Sequence, residues 1–148
     1  MTANYTTTLL VPQAPGDVFR AINNIRGWWS QDFSGNTDNV DDEFEVHFGE
    51  VHYSRQKLVE KVPGKRLVWE VTDSRLNFIN DKNEWTGTTI IFELLPENNG
   101  TKILFTHKGL VPQLECFKDC SNGWAFYLHS SLTPLITTGQ GKPNLLTA

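Results

Sequence analysis

Between residue 43 and residue 108 apolar side chains recur at every second position, and beyond residue 112 they recur at every third or fourth. This change of period limits the fold more than any other feature. Period two places alternate residues on one face of a strand, whereas i, i+3, i+4 and i+7 share one face of a helix. Phe44, Val46 and Phe48 alternate with Glu43, Glu45 and His47. Leu67, Trp69 and Val71 share a face, as do Ile90, Phe92 and Leu94, and then Ile103, Phe105 and His107. Gly49-Glu50, Pro63-Gly64 and Asn98-Asn99-Gly100 punctuate the series as tight turns. The pattern predicts six strands, at 4–11, 43–48, 51–62, 66–72, 85–95 and 101–108, with 30–42 and 73–83 as connections. Pro12 stops the first strand. Pro15-Gly16-Asp17 opens a short helix with Val18, Phe19 and Ile22 on one face, interrupted at Gly27.

Trp124, Tyr127, Leu128, Ser131, Leu132, Leu135 and Ile136 then predict one long amphipathic helix over 114–138. Pro134 should bend it or end it early, because proline has no N–H and crowds the preceding turn. Residues 139–148 read as a helix stop and a flexible tail. Hairpin-linked strands followed by one long helix make an α+β layer architecture, an antiparallel sheet with its helix on one face.

At 148 residues the chain is the size of one domain, taken as 1–148. Its formal charge of -4 argues against nucleic acid, which selects clustered Lys and Arg. No apolar run approaches the roughly 18 residues of a membrane span. The N-terminus has neither a basic segment nor an apolar signal core, so a cytoplasmic location is expected. Cys116 and Cys120 are too few for a disulfide framework.

Five Trp and nine Phe are a large supply of wide apolar side chains. A single helix roughly 10–12 Å wide does not fill a broad curved sheet along its whole length. A dry void of ~300 Å³, the low end for ligand sites, would cost up to about 7 kcal/mol, against a typical total stability of ~5–15 kcal/mol. Either aromatics close the space, or water or an apolar guest occupies it. Trp69, Phe92, Phe105, Trp124 and Tyr127 are the candidate lining, with close-packed core as the alternative for each.

Several segments together resemble a known family: Gly27-Trp28-Trp29-Ser30, Pro63-Gly64-Lys65-Arg66-Leu67-Val68-Trp69, Trp85-Thr86-Gly87-Thr88, Thr106-His107-Lys108-Gly109-Leu110 and Asn122-Gly123-Trp124. In order and spacing they are similar to the SRPBCC superfamily, also called START-like or helix-grip. Within it they most resemble bacterial proteins related to the activator of heat-shock-protein ATPase. The resemblance runs from about Tyr5 to Thr138. It implies a helix-grip fold, a curved six-stranded antiparallel sheet around a C-terminal helix and an apolar cavity. Members include lipid-transfer domains, hormone-binding plant proteins, aromatic polyketide cyclases and co-chaperone domains. Fold alone does not choose among these.

The expected function is the binding of an apolar or aromatic small molecule between sheet and C-terminal helix. The candidate ligand-binding residues are Trp28, Trp29, Trp69, Phe92, Phe105, His107, Trp124, Tyr127 and Leu128. Trp28, Trp29 and the 30–42 loop would form an entrance, and His107 and Tyr127 would be polar handles. The alternatives are a co-chaperone-like protein-interaction domain with a chaperone or other protein partner, and a cyclase-type enzyme. No catalytic residue is assigned, because no acid–base pair stands out. No cofactor is expected, since the sequence carries no nucleotide-binding or HExxH motif. His47 and His52 read as exposed hairpin residues, with no further ligands spaced for a metal. His129 falls at the edge of the helical stripe. Cys116 and Cys120, at i, i+4, read as partly buried core thiols. The acidic run from Asp38 to Glu45 reads as a solvated face, and Arg55 and Glu70, at polar positions in middle strands, as side chains able to reach a cavity, with a surface pair as the alternative.

Overall fold

The computed structural model describes residues 4–145. The chain runs β1 (Tyr5–Val11), α1 (Pro15–Asn23), α2 (Ile25–Trp28), β2 (Phe33–Gly35), β3 (Glu43–Phe48), β4 (His52–Val62), β5 (Arg66–Leu76), β6 (Thr89–Glu97), β7 (Gly100–Lys108), α3 (Phe117–Tyr127) and α4 (Thr133–Thr138). The seven strands form one antiparallel sheet in the order β1-β7-β6-β5-β4-β3-β2. Hairpins make most neighbours, and β1 closes against β7, with Tyr5 opposite His107 and Val11 opposite Thr101. The inward face of the sheet packs on α1, α2 and the C-terminal helical segment, which is the helix-grip arrangement. No helix among the described residues is long and apolar enough to cross a membrane.

Four local features differ from the sequence expectation. The sheet has seven strands, not six, because Phe33–Gly35 pairs with β3 inside the segment read as a loop. Three residues carry too little alternation to be seen as a strand. β5 continues through Asp73 to Leu76, where a connection was expected. A bulge explains this: Arg55 faces Asp73 while Gln56 faces Val71, so Thr72 is an extra residue. The buried series Leu67, Trp69, Val71 therefore resumes as Ser74, Leu76 with its parity inverted. Trp85 belongs to the turn before β6, not to the strand itself.

The fourth difference concerns the final helix. It begins at Phe117 and stays helical to Thr138, past Pro134. A wider π-type turn over Leu128–Leu132 lies just before the proline. The Thr133 N–H bonds to the Leu128 carbonyl, five residues back, and the Thr133 hydroxyl donates to the same oxygen. The extra residue in that turn absorbs the hydrogen bond that Pro134 is unable to donate.

Gly139, at φ 89°, ends α4 in the left-handed conformation. The following residues turn back over α2. The Lys142 N–H donates to Ser131 Oγ, and Gly141 passes so close to Gly27 that an added Cβ would lie 2.3 Å from the Gly27 carbonyl oxygen. Asn144 bridges Trp29 and Gln31 through its backbone, and its amide donates to Ser30 Oγ and the His47 carbonyl. The segment expected to be a flexible tail is thus tied down as far as Asn144, and residues 146–148 lie outside those described. Replacing Asn144 by alanine is expected to cost about 1–2 kcal/mol, from two side-chain hydrogen bonds of ~1 kcal/mol each. Urea unfolding measures this; no loss would mean that the backbone contacts alone hold the segment.

Candidate functional site

Aromatic side chains close the centre of the sheet–helix interface. Trp69 meets Phe92 at 5.1 Å between centroids, Phe92 meets Phe105 at 5.1 Å, and Phe105 meets Trp124 at 4.7 Å. Trp28 stands edge-on to Phe92, and its indole N–H donates to the Ile22 carbonyl. Trp28, Trp69, Phe92, Phe105 and Leu128 are fully buried core. The broad central chamber expected from sheet curvature is therefore filled by edge-to-face and tilted ring contacts, which bring wide side chains together from opposite layers.

A smaller hollow of about 150 Å³ remains at one end, between α3 and the β3–β4 hairpin. Five rings form a closed collar there. Trp29 contacts Phe48 at 6.0 Å, Phe48 contacts His52 at 4.9 Å, and His52 contacts Trp85 at 4.7 Å. Trp85 then stacks with Trp124 at 5.7 Å, and Trp124 returns to Trp29 at 5.1 Å. Tyr127 adds a sixth ring against Phe48. Asp119, Cys120 and Gly123 of α3 complete the wall, with Phe78 at the exposed side. Burial pushes the Tyr127 phenol up from its ordinary range.

Of the nine candidate residues, the structure thus brings Trp29, Trp124 and Tyr127 to the hollow and places Trp28, Trp69, Phe92, Phe105 and Leu128 behind it. His107 is completely buried, and both ring nitrogens are in use. The Trp124 indole donates to Nδ1 at 2.9 Å, so the proton sits on Nε2, which donates to Thr88 Oγ1 at 2.8 Å. The Thr88 hydroxyl in turn donates to the Trp85 carbonyl. Burial, and secondly the nearby His52, lower the His107 pKa to about 3. A neutral imidazole with no spare lone pair or N–H is a structural clamp between strand and helix, not a free polar handle.

Sequence reasoning missed Phe48, His52, Trp85, Asp119, Cys120 and Gly123. The expectation of an exposed His52 is corrected: it is half-buried, edge-on to both Phe48 and Trp85. Burial first, and the charge of His47 second, lower its pKa. As the first residue of β4 it lies on the opposite side from Tyr53, on the face shared by Ser54 and Gln56, a consequence of the two-residue period. Gly123 carried a legible signal, since glycine inside an amphipathic helix is unfavourable by about 1 kcal/mol relative to alanine. Both cysteines are free and buried. Cys120 Sγ accepts a hydrogen bond from the Trp85 indole, and a hydrogen bond with Cys120 pushes the Cys116 thiol up, with burial adding to it.

A larger depression of about 760 Å³ lies on the outer face of β3, β4 and β5. Its walls are mostly charged and solvent-facing: Glu45, Glu50, Asp73, Arg75 and Asn77 among them. Glu45 and Arg55 pair across it at 2.5 Å. Cross-strand ion pairing on a solvated sheet accounts for this surface, so the smaller aromatic hollow is the better candidate for selective binding. Among the described residues no three His, Cys, Asp or Glu side chains are grouped as a metal site.

Comparison with known proteins agrees with this fold. The solution structure of the Aha1 dimer from Colwellia psychrerythraea superposes with a TM-score of 0.76 at 23% identity, over 94% of this chain and 99% of that one. A Staphylococcus saprophyticus protein gives 0.72 at 16% identity, over 98% and 100%. A Chromobacterium violaceum protein gives 0.67 at 19% identity, over 90% and 96%. These likenesses establish the shared fold. Among curated proteins there is no match. The family model for activator of Hsp90 ATPase homolog 1-like proteins matches residues 14–136, from the start of the first helix to the last helix, and by that span the chain belongs to this family.

Proposed function

We propose that the protein binds a small apolar molecule about the size of one aromatic ring in the hollow between α3 and the β3–β4 hairpin. The observation that carries this reading is Gly123. It lies within α3 and lines the hollow, its backbone is not in the left-handed region, and a Cβ added there would meet nothing within 4 Å. Neither backbone geometry nor packing requires a glycine at this point, and the missing side chain leaves that part of the hollow open. The volume of about 150 Å³ sets the scale. An apolar cavity of ~150 Å³ accommodates benzene, whereas drug-sized ligands need ~300 Å³ or more.

Gly123→Ala is expected to stabilise the protein by about 0.5–1 kcal/mol, read by thermal or urea unfolding. Gly123→Leu should fill the hollow and abolish binding of toluene and indole, followed by tryptophan fluorescence and by NMR shifts. In the unsubstituted protein these probes should shift Trp29, Trp124 and Tyr127. Shifts confined to outer-face residues such as Lys57 and Glu60 would reject the proposal.

The family match supports a second reading, a co-chaperone-like protein-interaction domain. Gly123→Leu separates the two: an interaction with Hsp90 through an outer surface would survive the filled hollow, whereas small-molecule binding would not.

A further inference from the structure

A line of polar side chains runs along the inward face of β4, beneath the aromatic layer: His52, Ser54 and Gln56. Ser54 and Gln56 are fully buried. The Gln56 amide donates to Ser54 Oγ at 2.6 Å, and Ser54 Oγ lies 3.0 Å from His52 Nε2. The Ser54 hydroxyl therefore receives one hydrogen bond from the glutamine side and has one proton to place. Donating it to His52 Nε2 makes that nitrogen the acceptor and leaves the ring proton on Nδ1. At neutral pH the imidazole is uncharged, because its pKa is lowered by burial and by His47. Nδ1 has no hydrogen-bond partner among the described residues, and the ring lines both the aromatic hollow and the outer groove. Gln56 Oε1 is buried without a partner among the described residues, so the Ser54–His52 contact is the part of the chain that orients the ring.

We infer that the Gln56–Ser54–His52 relay presents a neutral Nδ1–H donor to the hollow, which thereby selects a single-ring ligand bearing a hydrogen-bond acceptor such as an aryl ketone or a phenol ether. The inference rests on the hollow being a binding site, and it adds the chemistry that the hollow reads. His107, with both nitrogens occupied, does not serve this purpose. The collar supplies apolar contact around the ring, and His52 supplies the one directional contact within it. A ligand acceptor meeting that donor replaces a hydrogen bond to water by one in a less polar setting, while an acceptor-free ring leaves the N–H without a partner when it displaces that water.

The test compares acetophenone with α-methylstyrene, which has nearly the same shape and lacks the carbonyl oxygen. Acetophenone is expected to bind about fivefold tighter, the worth of one net hydrogen bond. Ser54→Ala should reduce that ratio toward one while leaving α-methylstyrene binding unchanged; because it also unpairs the buried Gln56 amide, the dispersion of the variant's NMR spectrum verifies that it is folded. ¹⁵N NMR of the free protein should find the His52 proton on Nδ1. An Nε2–H tautomer, or equal affinity for the two probes, would overturn the relay and leave the hollow as a plain apolar site. If toluene, acetophenone and α-methylstyrene all failed to shift Trp29 and Trp124, the binding reading would fall with it.

Discussion

Trp124→Ala is expected to destabilise the protein by about 5 kcal/mol. Trp→Ala in a core typically costs ~3–5 kcal/mol through lost transfer energy and the cavity left behind. Here the substitution also removes the donor to His107 Nδ1, leaving a buried acceptor unpaired at a further cost of ~1–3 kcal/mol. Trp124 touches Trp29, Trp85, Phe105 and His107, so no single neighbour is able to relax into the space. The loss approaches the whole stability of a typical domain, ~5–15 kcal/mol. Trp124→Phe keeps most of the ring area and should cost about 2 kcal/mol, chiefly the hydrogen bond. Urea titrations of the two variants measure both values. A loss below 2 kcal/mol for the alanine variant would show that the aromatic collar is far more pliable than its packing implies.

Acidification should produce the second large effect. The folded-state pKa of His107 lies at about 3, below the unfolded value near 6.5. A lowered pKa means that the unfolded chain takes up the proton first. The contribution of neutral His107 is therefore complete above pH 6.5 and declines as pH falls toward 3. The slope approaches ~1.4 kcal/mol per pH unit, for a total on the order of 5 kcal/mol. His52, also lowered, acts in the same direction. The physical block is direct: a proton on Nδ1 would face the Trp124 N–H that already points there. His107→Gln tests the origin, because an amide can accept from Trp124 and donate to Thr88 without titrating. Its stability between pH 6.5 and 5, above the range of most carboxylates, should decline about half as steeply as that of the unsubstituted protein, the remaining slope belonging to His52. Equal slopes in the two proteins would assign the acid sensitivity elsewhere.

These two experiments probe a region whose parts were unequally visible in the chain. The strands, the tight turns and the helical stripe followed from periods of two and 3.6, because those periods arise from backbone geometry and repeat over many residues. The bulge at Thr72 did not, since one extra residue inverts the alternation and looks like the end of a strand. Helix continuation past Pro134 was also hidden. It depends on a wider turn whose hydrogen bond runs five residues back and leaves no compositional mark.

The aromatic residues divide in the same way. Their number and their placement on inward faces made an aromatic interior legible. Which rings would pack and which would border a hollow depended on distances between layers. Trp69, Phe92 and Phe105 come from adjacent strands and lock together, whereas Trp29, Phe48, Trp85 and Trp124 meet from four separate segments. His52 and His107 show the contrast most sharply. The sequence put the first on a solvent-facing hairpin and gave the second a polar role; the fold turned the first toward the hollow and consumed both nitrogens of the second.

By itself, then, the order of residues determined a single antiparallel sheet held by a terminal helix, with wide rings directed between them, because backbone periodicity is a local property. Only the tertiary structure decided that the centre is packed, that about 150 Å³ stays open at one end, and that a histidine at its rim is joined to buried polar groups. Those outcomes depend on side chains distant in the sequence competing for the same volume and the same hydrogen-bond partners, and that competition is settled only when the layers meet.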